Sequence, residues 1–87
     1  MLQLGHIVCP PGVMELMERY APEIINCLTR HRSGDWGDVC EEDRKENDQS
    51  ADLGYRVLSA YTIDQTKIWI ITEANRSSTC VLLPDEY

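Results

Sequence analysis

The apolar positions of this chain follow two different periods, helical in its first half and alternating in its last third. Val13, Leu16, Met17 and Tyr20 recur at three- and four-residue spacing, one face of a helix that Pro11 and Gly12 can open. Pro22 stops that helix and starts the next, since proline lacks an amide hydrogen but fits a first-turn position. Ile24, Ile25 and Leu28 supply the apolar face of the second helix, and Arg30, His31 and Arg32 put cations at the negative end of its dipole. Gly34 suits its stop. A third helix is expected from Asp38, which can cap it with Glu41 completing a capping box, to about Leu53, with Gly54 placed for a left-handed C-terminal cap. Its apolar positions are few (Val39, Cys40, Ala51, Leu53), so it reads as a surface helix.

The remaining segments read as strands. Leu2 to Val8 forms a short one, ended by Pro10-Pro11-Gly12. Tyr55 to Ile63, Lys67 to Ala74 and Ser78 to Leu83 are rich in β-branched and aromatic residues and are separated by the turns Asp64-Gln65-Thr66 and Asn75-Arg76-Ser77. A short N-terminal strand, three helices and then a three-stranded antiparallel meander predict an α+β fold in a single domain, residues 1–87. The first strand can join the meander at its edge.

Three-residue hairpin loops would set Ala60 opposite Ile70 and Ile70 opposite Leu82. One face then carries Leu58, Ala60, Ile68, Ile70, Cys80 and Leu82; the other carries Val57, Tyr61, Trp69, Ile71, Val81 and Leu83. An antiparallel sheet with one wet face alternates apolar with polar, and this one does not. Tyr61, Trp69, Ile71 and Val81 are therefore expected to form a partner-binding patch, with a two-fold homodimer as the simplest assembly.

Composition narrows the function classes. The formal charge is −7 over 87 residues, and eight of the fifteen acidic residues fall between Asp35 and Asp52. That balance argues against direct nucleic-acid binding, which needs Lys and Arg, and leaves room for a basic protein partner on Glu41, Glu42 and Asp43. No stretch reaches the ~20 apolar residues of a membrane span, and Met1 to Val8 lacks a basic lead, so a cytoplasmic location without membrane contact is expected. Cys9, Cys27, Cys40 and Cys80 have no metal-ligand spacing and read as reduced, buried small hydrophobes, with neither metal nor cofactor implied.

The layout of helices followed by a meander is shared with RelE- and barnase-like ribonucleases. In such a ribonuclease toxin His31, Glu73 and Arg76 would serve as acid, base and phosphate clamp. Trp36, between Gly34 and Gly37, reads either as an exposed recognition residue or as a staple pinning a tight turn onto the core, the staple being favoured.

Several of these residues form a recognisable set: Arg30-His31, Gly34-Asp35-Trp36-Gly37, Glu42-Asp43 with Asn47, then Gly54, Arg56, Ser59-Ala60-Tyr61, Ile68 to Ala74, Arg76-Ser77 and Leu82-Leu83-Pro84. In this set, over roughly residues 30 to 87, the chain resembles a family of short uncharacterised proteins of bacterial plasmids and integrative elements, often labelled plasmid-related proteins. It departs from that pattern at Asn75 and Cys80, where Asp and Thr are usual. The resemblance implies an accessory cargo of a mobile genetic element and no particular reaction. The expectation is a non-enzymatic protein-binding module acting as a homodimer. The alternatives are the ribonuclease toxin and an acidic anti-defence inhibitor that mimics nucleic acid.

Overall fold

The computed structural model describes residues 1–87. The chain runs β1 (His6–Val8), α1 (Pro11–Arg32), α2 (Glu41–Leu53), β2 (Val57–Ile63), β3 (Thr66–Thr72) and β4 (Ser78–Leu82), then a short 3-10 turn at Pro84–Glu86. The class is α+β, with two helices and one mixed sheet of four strands in the order β1-β4-β3-β2. β1 lies parallel to β4, and the other pairs are antiparallel.

The two helices expected on either side of Pro22 are one 22-residue element with a kink at Tyr20 (φ −128°, ψ 32°). Proline removes one intrahelical bond and crowds the preceding turn, so the helix bends there and continues. α2 starts at Glu41 rather than Asp38. The Asp38 carboxylate is taken by Thr62, whose Oγ1 donates to it at 3.0 Å, and the Asp38 amide donates to the Ala60 carbonyl at 2.7 Å. Gly54 ends α2 in the left-handed region (φ 82°), as the sequence predicts.

The hairpin between β2 and β3 turns on two residues, not three. Asp64 and Gln65 both have positive φ (46° and 67°), the backbone of a tight turn whose twist matches its flanking strands. Ala60 is therefore opposite Trp69 and Tyr61 opposite Ile68, while across the next pair Ile70 faces Val81 and Trp69 faces Leu82. A one-residue slip moves every β3 side chain to the other face. The expected grouping of Tyr61, Trp69, Ile71 and Val81 is corrected accordingly. Tyr61 and Val81 share a face with Ile68 and Ile70, whereas Trp69 and Ile71 lie on the opposite one.

The first of these faces packs under α1, where Val13, Ile24 and Cys27 meet Tyr61, Ile63, Ile68, Ile70 and Val81 in the main core. A smaller core of Leu2, Trp36 and Val57, flanked by Ala51 of α2, joins the second helix to the same side of the sheet. The outer edge of β2 is sealed. The Asn47 side chain donates to the Leu58 carbonyl at 2.7 Å and accepts from the Leu58 amide at 3.4 Å, and the Ala60 amide donates to the Trp36 carbonyl at 3.2 Å. Gly37 makes this approach possible, because a Cβ there would stand 2.1 Å from the Ala60 carbonyl oxygen. The other edge, β1, is three residues long and exposed throughout, a short edge that offers little to an unwanted strand.

Candidate functional site

The residues singled out by sequence fall into three places: a buried polar chain, a brace around the β2 edge, and the sheet face that no helix covers.

The buried chain begins at His31, in the last turn of α1 and with no exposed surface. Its Nδ1 meets the Ser59 hydroxyl and its Nε2 lies 2.8 Å from Thr72 Oγ1. Thr72 Oγ1 is 2.8 Å from Thr79 Oγ1, and the Thr79 hydroxyl donates to the Leu4 carbonyl at 2.7 Å. A carbonyl can only accept, so every proton in the chain has a fixed place. Thr79 donates to Leu4, Thr72 to Thr79, His31 Nε2–H to Thr72, and Ser59 to His31 Nδ1. The order fixes a proton on Nε2, and burial lowers the imidazole pKa from 6.5 to about 4, which leaves Nδ1 unprotonated near pH 7 and able to accept from Ser59. No buried side-chain nitrogen or oxygen lacks a partner.

The brace accounts for Gly34-Asp35-Trp36-Gly37. Arg30 donates to Asp35 through Nε at 2.8 Å and a second nitrogen at 3.3 Å, which holds the Asp35 carboxyl below its ordinary pKa. The same guanidinium sits 4.8 Å over the Tyr61 ring, and the Tyr61 hydroxyl donates to the Asp35 carbonyl at 2.6 Å. Burial pushes the Tyr61 phenol up to about 12. Trp36 is 3% exposed, packs edge-on to His31 at 5.6 Å and donates its indole N–H to Asp48 at 2.9 Å. It is the staple, not an exposed recognition residue.

His31, Glu73 and Arg76 are not brought together as an accessible acid, base and clamp. His31 is sealed in the core. The Arg76 guanidinium donates to the carbonyls of Ser50 (2.9 Å), Tyr55 (2.7 Å) and Glu73 (3.1 Å). It therefore neutralises the C-terminal end of α2 and ties it to the β3–β4 turn. Glu73 is exposed, with Arg56 at 3.9 Å. The buried His31 chain was missed by sequence reasoning; its signal was Ser59, Thr72 and Thr79, small hydroxyl residues within otherwise apolar strands.

Of the acidic trio, Glu41 pairs with Arg44, while Glu42 and Asp43 are exposed in the first turn of α2. Cys27 is buried and Cys40 is exposed, with Cys9 and Cys80 between, so the buried reading holds for Cys27 and not for Cys40. No group of three or more His, Cys, Asp or Glu side chains converges on a point that could hold a metal ion.

The uncovered face is ordered by the strand register. Val8, Cys80, Ile71 and Leu58 form one apolar row across all four strands, and Leu82, Trp69 and Ala60 form the next. Beyond the first row stand Arg56 and Glu73, and beyond the second stand Thr62 and Lys67, so the apolar rows have polar ends. Ile71 and Leu82 are shielded by their neighbours, Trp69 is half-buried, and Val8 keeps 48% of its surface exposed. Tyr87 folds back onto this face, edge-on to Trp69 at 5.7 Å, with Arg56 5.3 Å from its ring.

Comparison with protein-family models, with curated proteins and with solved structures finds no match to this chain.

Proposed function

We propose that this chain is a non-enzymatic protein-binding module that works through the uncovered face of its sheet and assembles as a homodimer, carried as accessory cargo of a mobile element. The observation that carries the reading is the pair of apolar rows through Trp69 and Ile71, bounded by charged residues, on the side of the sheet opposite α1. An apolar centre with a polar rim is the anatomy of a protein interface. The fates of His31 and Arg76 favour binding over catalysis, because both side chains spend their hydrogen-bonding groups inside the fold. The charge of −7 disfavours nucleic acid as the ligand.

Trp69→Asp is the direct test. The wild-type chain is expected to associate at micromolar concentration in sedimentation velocity, and the variant to run as a folded monomer with an unchanged circular dichroism spectrum. RNA cleavage that co-purifies with the protein and is lost in Glu73→Gln would replace this reading with the nuclease one.

A further inference from the structure

Along β3, the residues that point to the uncovered face are, in order, Lys67, Trp69, Ile71 and Glu73. The two central positions are apolar, one end is cationic and the other anionic. Lys67 and Glu73 are exposed; Arg56 lies 3.9 Å from Glu73, and Asp38, bonded to Thr62 opposite Lys67, stands at the other end without a salt bridge to Lys67. Such a strand is complementary to itself when reversed. We propose that the occupant of this face is a second copy of the chain, stacked sheet to sheet about a two-fold axis that crosses β3 at right angles, so that Lys67 of each copy meets Glu73 of the other.

This rests on the sheet-face reading above and adds to it the partner and its orientation. A two-fold axis in the plane of the interface can run along the strands or across them. Along the strands, Lys67 approaches Lys67 and Glu73 approaches Glu73 near the axis. Across them, both like-charge pairs are replaced by two opposite-charge pairs, and the half-buried Trp69 and exposed Tyr87 of each copy meet the other above the buried Ile71. Stacked sheets pack ~10 Å apart with their strands within about 30° of alignment, which a reversed strand satisfies. α1 carries Glu15, Glu18 and Glu23 against Arg19, Arg30 and Arg32 and is formally neutral. α2 lies along the β2 edge, where Asp43 and Glu46 line one pocket with Arg56 and Leu58 of the open face, so its acidic side chains flank the stacked face at β2 and not at the central strand β3. The other occupant to weigh is a strand added at the edge of β1, but three exposed residues there offer one outward-facing set of backbone groups between Gly5 and Cys9.

The test is a charge swap at exposed positions where folding is not at risk. Lys67→Glu alone and Glu73→Lys alone each turn two attractions into two repulsions between exposed groups, and each is expected to weaken homodimerisation about tenfold. Mixing the two single variants restores both pairs, so the heterodimer is expected to form within about threefold of wild-type affinity. Sedimentation velocity at two salt concentrations reads all three, and the mixed dimer gains least from added salt. If Trp69→Asp abolishes association while the single variants and their mixture behave as wild type, the face is the interface but the crossed two-fold arrangement is wrong. If Trp69→Asp leaves association intact, the face is not the interface and both readings fall. A wild-type chain that stays monomeric at 100 μM (~5.5 kcal/mol on the affinity scale) overturns the second copy as occupant.

Discussion

The two faces of the sheet differ in how they use their polar side chains. The covered face, under α1, includes Ser59, Thr72 and Thr79 among its fully enclosed positions and receives His31 from the helix. The open face carries Trp69, Ile71, Leu82 and Leu58. Burying four polar side chains costs free energy unless each has a partner. Here each has one, and the partners form a single chain that ends on a backbone carbonyl. The covered face thus gains specificity, since an imidazole that must meet Ser59 and Thr72 together admits one docking of α1 on the strands. The open face has no such constraint. Ile71 and Leu82 are buried among their neighbours there, and the surface left for another molecule is that of Val8, Leu58 and Trp69.

The largest expected effect breaks the covered side. His31 takes a proton at about 4 when folded and near 6.5 when unfolded. Between those values the unfolded chain binds the extra proton, so stability rises with pH through this window and is lost as pH falls from 6.5 to 4, by roughly 3 kcal/mol in all. Urea denaturation at pH 4, 5, 6 and 7 measures this, and His31→Ala is expected to cost about 3 kcal/mol at pH 7 while abolishing that part of the pH dependence. A smaller break is Thr72→Val, nearly isosteric, which removes the acceptor of His31 Nε2–H and the donor to Thr79. We expect a loss of about 2 kcal/mol, read from the shift in Tm. The smallest effect sharpens the comparison. Gln65→Gly relieves a left-handed backbone in the turn that assigns β3 residues to their faces, and should stabilise the fold by roughly 0.5–1 kcal/mol in thermal melts.

Much of this architecture is legible in the sequence. Pro11 opens α1, Gly54 closes α2, and the three long strands lie where alternation and β-branched residues put them. Pro22 marks the right position with the wrong consequence, because packing against the sheet carries the helix past a proline that would end an isolated one. The register was not legible. Asp64-Gln65 is not a typical two-residue hairpin pair, since neither is glycine or asparagine, yet both adopt positive φ. The Tyr20 hydroxyl donates to the Asp64 carboxylate at 2.5 Å, a contact between distant segments that helps to hold the turn and that no local pattern contains. From that loop follows the separation of Tyr61 from Trp69 and Ile71, and the β3–β4 register, with Ile70 opposite Val81 instead of Leu82, separates Val81 from them in the same sense. The roles of His31 and Arg76 were hidden for a related reason. Residue type made them candidates for chemistry, whereas their positions make them internal connectors: His31 in the last turn of α1 against β2 and β3, and Arg76 in the β3–β4 turn against the C-terminal end of α2.

The Leu4 carbonyl lies outside any strand, yet it sets the polarity of every hydroxyl between it and Ser59. Because it can receive a hydrogen and never give one, it acts like the fixed end of a row of dominoes, and the row can fall in one direction. The tautomer of a histidine near the middle of the chain is thereby written at the N-terminus, and a break in the first few residues would leave that row free to reverse.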